Sequence, residues 1–380
     1  MRNPISCALL LTCIITASLL ADPALSVDPA SNVASLIEDL GLRETPEPIK
    51  DSPYWKKPMK VVVFLPDSRT PARDDYKAWL QSAAGDAQLI FIKSIQELEL
   101  EKVDADVYLG YCHHVTPDMK NLRWVQNYFV GIDRCTDNEL LLEGKVLLTN
   151  TKAIPGPGMA EHTMAMMLML ARKMHVYYQQ QQKSEWRRLP NAGKHVVEVN
   201  GKTMLVVGLG GIGRQVAKRA HGLGMRVIAT RKNSRKGPDY VEYIGLADEM
   251  TELAKKADVV VNITPLTEAT TGMFNREFFK AMKPTAFFIN IGRGKSVVTE
   301  DLLAALNNDE IAGAALDVTD PEPLPANHPL WKLSNVIITP HNSSPSDQML
   351  QRFWTLVREN LSRYTAGEPM LNVVDINRGY

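Results

Sequence analysis

Cysteine is scarce in this chain, with four in 380 residues, and that excludes a scaffold built on disulfides. Cys7 and Cys13 fall in an N-terminal apolar run, which leaves Cys112 and Cys135. The four contain no CxxC pair and no Cys/His group at ligand spacing, so no metal site is expected. An excess of one charge is also missing. Lys and Arg number 43 against 43 Asp and Glu, so no global field attracts a phosphate backbone or an anionic lipid surface, and neither nucleic acid nor membrane is expected as a partner. Long apolar runs are missing too, apart from one. Ile5 to Ala21 follows a lone Arg2 and precedes Ala24-Leu25-Ser26, a small-x-small sequence. This reads as a cleaved secretory signal over residues 1–26 rather than a retained anchor, with export to the periplasm or medium expected. If that reading fails, the chain is cytoplasmic.

The remaining composition, 45% hydrophobic and 23% charged, is that of an ordinary globular protein. Residues 27–57 carry Pro, Asp, Glu and Lys around one amphipathic stretch from Val33 to Leu42, as in a tether or surface extension without chemistry. From Met59 short apolar runs alternate with helical patterns: MKVVVFLP, AQLIFIK, ADVYLGY, LRWVQNY and KVLLTN. After Lys202 the alternation resumes as TMLVVG, MRVIAT, ADVVVNIT, AFFINI, AGAALDV and NVIITP. Such βα alternation defines an α/β fold of two doubly wound, Rossmann-like parallel sheets. Between them, Gly158 to about Lys183 reads as one long helix joining two domains. Its stripe of Met164, Met166, Met167, Met169 and Met174 is packing.

Gly208-Leu-Gly210-Gly211-Ile212-Gly213 stands directly after TMLVV and before a helix pattern. Gly208 suits the tight turn, Gly210 lets backbone approach a pyrophosphate, and Gly213 lets helix pack on strand. Free amides at the helix start, Gly211 and Ile212 among them, would hold the negative charge. Thr264 closes a later strand at the same edge. At the end of MRVIAT, where an acidic residue would take the ribose hydroxyls of NAD(H), Arg231 and Lys232 stand with Arg235 and Lys236. That cluster, unless merely a solvated loop, favours a 2′-phosphate and hence NADP(H), with NAD(H) possible.

Arg293, Glu322 and His341 end later strand patterns, at the edge where open α/β sheets bind ligands. Proton transfer to a reacting oxygen at such an edge needs a group titrating near neutrality, and His341 suits the donor. Glu322 on its other ring nitrogen would stabilise imidazolium. Arg293 offers a planar fork to the substrate carboxylate.

The stretches AEHTMAMMLMLAR, VGLGGIGRQVAKRAHGLGMRV, INIGRGKSVVTEDLLAALN and AALDVTDPEPLPANHPLWKLSNVIITPH resemble the D-isomer-specific 2-hydroxyacid dehydrogenases, and the similarity runs from about Met59 to the C-terminus. The resemblance implies a nucleotide domain at 154–344 inserted into a substrate domain made of 58–153 and 345–380, with the active site in the cleft. It carries over Arg293, Glu322 and His341 as the catalytic set, Asp317 as a contact near the nicotinamide, and Val130-Gly131 as the loop that receives the substrate carboxylate. It also implies a homodimer and a small 2-oxo or 2-hydroxy acid substrate, such as glyoxylate or hydroxypyruvate. Tyr128 and Phe129 replace smaller residues and read as packing at a strand end, with shaping of the pocket as the alternative, while His113 and His114 read either as pocket wall or as plain loop residues. His162 reads as a hydrogen-bonding residue rather than a catalyst. Asn342-Ser343-Ser344 departs from the family pattern, which leaves the subfamily open. A nucleotide-sensing scaffold or corepressor on the same fold is the competing class, but it has no need of the three ionisable residues. If the chain is exported, a Cys112–Cys135 bridge is chemically permitted, although two separate buried thiols are the expectation.

Overall fold

The computed structural model describes residues 29–71, 73–192 and 196–378, so the expected signal at 1–26 lies outside the described residues. Every apolar run named above forms a strand. The first five give a parallel sheet of β1 (Lys60–Phe64), β2 (Gln88–Ile92), β3 (Val107–Gly110), β4 (Trp124–Asn127) and β5 (Leu147–Thr149), in the order β2-β1-β3-β4-β5. Strands β3 and β4 are buried throughout, as a parallel sheet covered on both faces requires.

The second sheet holds β6 (Thr203–Val207), β7 (Arg226–Thr230), β8 (Tyr243–Gly245), β9 (Val259–Asn262), β10 (Phe287–Asn290), β11 (Gly313–Leu316) and β12 (Val336–Ile338). Its order, β12-β11-β10-β9-β6-β7-β8, reverses between β6 and β9, and that switch point is where a dinucleotide binds. Strand β8 escapes the sequence reading because it presents no apolar run, only Ile244 between Tyr243 and Gly245.

The helices are α1 (Pro29–Leu40), α2 (Tyr76–Ala84), α3 (Ile95–Glu101), α4 (Glu139–Leu142), α5 (Gly156–Ala171), α6 (Met174–Gln182), α7 (Gly211–Gly222), α8 (Met250–Ala254), α9 (Arg276–Ala281), α10 (Thr299–Asn307) and α11 (Met349–Ala366). Among the described residues none is long and apolar enough to cross a membrane. Helix α11 returns to the first sheet, and its Phe353, Trp354, Leu356 and Leu361 share a core with Val61, Val63 and Leu109. The second sheet is thus inserted within the chain of the first.

Two expectations are corrected here. The single long helix is two, because Lys173 adopts the left-handed conformation at φ 56° between α5 and α6. A residue there cannot continue a right-handed helix, and His175 then turns inward to bond the Met169 and Ser334 carbonyls at 3.1 and 3.0 Å. Met164, Met166 and Met167 are core residues of the second unit and Met169 packs against them, as the packing reading of the stripe has it, but Met174 is 55% exposed once the helix is broken. The segment before Pro58 is not a free tether either. Leu36, Leu40 and Leu42 are buried in the first core, Trp55 Nε1 donates to the Tyr364 carbonyl at 2.9 Å, and Glu44 forms a β-bridge with Leu371.

Candidate active site

The site lies where the C-terminal ends of both sheets face one another. On the second sheet, buried Asn262, Asn290 and Ser296 form a network: Asn262 Nδ2 donates to Asn290 Oδ1 at 2.9 Å and to Ser296 Oγ at 2.7 Å. Asn290 Nδ2 and Ser296 Oγ then donate to the Arg293 carbonyl at 3.1 and 2.6 Å. The backbone of Arg293 is fixed, and its guanidinium leaves the sheet toward the first domain. There it meets Asp133 Oδ1 through Nη2 at 3.1 Å and Nε at 3.3 Å.

The Val130-Gly131 loop lies against that guanidinium, and a Cβ on Gly131 would overlap the Arg293 Nη2. A larger residue there would push the guanidinium aside. The loop's carbonyls are tied back, Val130 to Asn150 Nδ2 at 2.7 Å and Gly131 to Asn127 Nδ2 at 3.2 Å. Among the described residues, the amides of Val130 and Gly131 donate to no protein acceptor. Two free amides beside an arginine form an anion receptor. Asp133, which sequence reasoning did not weigh, holds Arg293 over it.

His341 follows β12, and its Nδ1 meets Glu322 Oε1 at 2.5 Å. The backbone of His341 is left-handed, φ 51°, a conformation rare outside glycine that persists where the surroundings enforce it. The enforcing group is Asp317. Its carbonyl accepts from the His341 amide at 2.8 Å, and its buried carboxylate accepts from Thr339 Oγ1 at 2.6 Å and from the Asn342 and Ser343 amides at 2.9 and 3.1 Å. Burial opposes this charge, but the bonds from Ser343, Thr339 and Asn342 hold the carboxyl below its ordinary range. Asp317, expected as a contact to the nicotinamide, also shapes the turn that presents His341. His162 Nε2 bonds Thr339 Oγ1 at 3.0 Å in the same cluster, a positioning role.

At the switch point Gly208 has φ 101°, which other residues rarely adopt. Thr264 lies against it and bonds Asn262 Oδ1 through both its amide and Oγ1, at 3.0 and 2.7 Å. Nothing lies within 4 Å of where a Cβ on Gly210 would stand, so the backbone there is open to a ligand, whereas Gly211, ahead of Ile212, packs against Ala153 and Gly213 against the Gly208 carbonyl. The residues fit a dinucleotide. Arg231 lies at the end of β7, as expected, and its Nη1 donates to the Lys236 carbonyl at 2.5 Å. Lys232 is exposed beside it. Arg235 is paired instead: its guanidinium meets Glu249 at 2.5 Å and Tyr243 Oη at 3.0 Å. The unforeseen strand β8 draws it away.

The pocket wall divides. Tyr128 is buried, packed edge-on against Phe353 and Trp354, whereas Phe129 is 41% exposed. Tyr111 stacks on His113, with ring centroids 5.5 Å apart. His114 is half-buried, bonded through Nδ1 to Tyr108 Oη at 2.8 Å. Behind this wall Cys112 and Cys135 are joined by a disulfide with Cα atoms 5.9 Å apart. The expectation of two free thiols is corrected: β3 and β4 are neighbours in the sheet, so the segments after them bring the two cysteines within bridging range.

A glycine-rich turn at a switch point, an arginine over an anion-receiving loop and a paired histidine define a nucleotide-dependent oxidoreductase acting on a carboxylate-bearing substrate. The family model described as "D-isomer specific 2-hydroxyacid dehydrogenase, NAD binding domain" matches residues 164–343. A glyoxylate reductase of Pyrococcus furiosus is 36% identical over 275 residues, 70% of this chain and 78% of that one. A human glyoxylate reductase/hydroxypyruvate reductase is 32% identical over 66% of this chain and 76% of its own. Among solved structures, the NADPH-dependent glyoxylate/hydroxypyruvate reductase of Sinorhizobium meliloti, in complex with NADP and sulfate, is similar with TM-score 0.69 and 26% identity, covering 85% of this chain and 100% of that one. The chain belongs to the D-isomer specific 2-hydroxyacid dehydrogenase family, and it is an NAD(P)-dependent oxidoreductase acting on CH–OH donors and the matching 2-oxo acids.

Proposed function

We propose that the protein reduces a small 2-oxo acid such as glyoxylate or hydroxypyruvate, prefers NADP(H) to NAD(H), and works outside the cytoplasm as a homodimer. The observation that carries the reaction is the His341–Glu322 pair at 2.5 Å. With Nδ1 engaged by the carboxylate, Nε2 of His341 is the ring nitrogen left to give a proton to the carbonyl oxygen. Arg293 and the Val130-Gly131 amides take the substrate carboxylate, displacing Asp133 from the guanidinium. Asp317 keeps the His341 turn in place. The bound nicotinamide supplies the hydride.

Arg231 at the ribose position, with no acidic residue beside it until Asp239, supports NADP(H). The Sinorhizobium meliloti relative is described as NADPH-dependent. The Cys112–Cys135 bridge supports export, since such bonds persist in oxidising compartments. A scaffold role gains nothing from the His–Glu pair. The test is oxidation of NADPH by glyoxylate and by hydroxypyruvate. Turnover should fall by about 10²-fold or more in His341→Ala, and an unchanged rate in that variant overturns the assignment.

A further inference from the structure

Three loops leave the C-terminal edge of the first sheet side by side, because β1, β3 and β4 are neighbours there. The loop after β1 contains a 3-10 turn, Asp67–Arg69. Its last residue is fixed through the backbone: the Arg69 amide donates to the Pro66 carbonyl at 2.8 Å, and Trp354 Nε1 of α11 donates to the Arg69 carbonyl at 2.6 Å. The side chain then enters the ring cluster beside the loop that receives the substrate carboxylate. Its guanidinium carbon stands 5.7 Å from the ring centre of Phe129 and 6.0 Å from those of Tyr111 and Tyr128, with the Phe353 ring of α11 at 4.9 Å. Phe129, whose ring centre lies 4.7 Å from that of Tyr111, directly precedes Val130-Gly131.

Arg69 is half-buried and carries its charge into this cluster without a counter-ion. Among the described residues no carboxylate and no hydrogen-bond acceptor meets the guanidinium, and the nearest acid in sequence, Asp67, is turned to Lys93 at 2.9 Å. The Tyr128 hydroxyl, buried in the same cluster, bonds nothing among the described residues either. Ring faces hold a guanidinium by its flat side and leave the N–H donors in its plane free. Packing alone would be served by an apolar side chain, since a cation among rings gives up part of its hydration. The substrate loop thus has a guanidinium at each end, Arg69 against Phe129 and Arg293 against Gly131.

We propose that Arg69 determines specificity for the far end of the substrate and selects 2-oxo acids that carry a second carboxylate. Arg293 and the loop amides take the carboxylate next to the carbonyl, and Arg69 takes the distal one, in the fork-to-carboxylate geometry that a planar guanidinium favours. Phe129 and Tyr111 keep the guanidinium stacked while it does so. The inference rests on the reading that this cleft reduces 2-oxo acids, and it narrows the class of acid. Glyoxylate has no distal group and leaves Arg69 unused.

The experiment follows oxidation of NADPH, and of NADH in parallel, by the full chain with four acids: glyoxylate, 2-oxoglutarate, 2-oxovalerate, which is the monocarboxylic acid of the same length, and phenylpyruvate. The parent, Arg69→Gln and Arg69→Lys are compared. In the parent, kcat/KM for 2-oxoglutarate should exceed that for 2-oxovalerate by about tenfold or more, the gain from a hydrogen bond between charged groups. In Arg69→Gln that advantage should disappear, mainly through KM, and Arg69→Lys, which keeps the charge but not the fork, should recover part of it. A parent that prefers 2-oxovalerate or phenylpyruvate overturns the proposal, and that measurement needs no variant. An equal fall for every acid in Arg69→Gln overturns it too, since a residue that only supports the wall does not distinguish one acid from another. Turnover of glyoxylate with no gain for 2-oxoglutarate overturns the role of Arg69 and leaves the reductase reading standing, whereas turnover of none of the four acids overturns that reading and the proposal with it.

Discussion

At the residue scale, the chemistry depends on side chains whose neighbours come from far along the chain. Arg231 follows β7 where the adenosine ribose is expected, and among the described residues its guanidinium bonds only the Lys236 carbonyl. Arg231→Asp should therefore weaken NADPH binding relative to NADH, measured as the ratio of the two KM values. An unaltered ratio would remove Arg231 from cofactor choice. His114 shows a different kind of dependence. Burial, and then the neighbouring His113, lower its pKa from 6.5 to about 4, and burial and Arg134 lower that of His113 as well. Above the ordinary histidine range both folded and unfolded chains hold a neutral ring. Between about pH 6.5 and about 4 the unfolded chain binds a proton that the folded chain refuses, so stability falls as pH drops through that window. Denaturant midpoints at pH 7 and pH 5 should show the loss, and it should be smaller in His114→Asn.

At the scale of elements, the Cys112–Cys135 bridge fastens the turn after β3 to the loop that carries Gly131 and Asp133. The two cysteines are separated by 23 positions, and closing a loop of that size contributes on the order of 3 kcal/mol in the chain-entropy account. Reduction, or the paired Cys112→Ser and Cys135→Ser change, should lower the unfolding midpoint and raise KM for the 2-oxo acid, because the receiving loop loses its anchor. A reduced protein with the same midpoint and KM would show that the bridge holds nothing the core does not already hold.

At the scale of the whole molecule, the N-terminal extension is part of the fold. Leu36, Leu40 and Leu42 are each buried in the first core, and burial of a leucine contributes about 1.5–3 kcal/mol. A chain beginning at Pro58 should therefore melt at a lower temperature than one beginning at Pro29, by calorimetry or circular dichroism. An equal midpoint for both would mean that the extension only lies on the surface.

Where a local rule settles the matter, this sequence is legible by itself. Apolar runs of fixed length between helical patterns specify both sheets, since strand burial on two faces needs such runs. The glycines of 208–213 and the ionisable residues Arg293, Glu322 and His341 are readable because each ends a strand pattern, and strand ends are where a parallel sheet binds ligands. What the sequence leaves open depends on contacts between distant segments. Arg235 reads as part of a cationic cluster until β8 brings Glu249 to it. Lys173 breaks a helix that its periodicity would continue. That Asp317 accepts from Thr339, Asn342 and Ser343, and so fixes the turn carrying His341, is a further such contact. The pairing of Cys112 with Cys135 and of Asp133 with Arg293 joins positions 23 and 160 apart. No periodicity spans such intervals, and only the packing of the two sheets and the returning C-terminal segment brings those groups within reach.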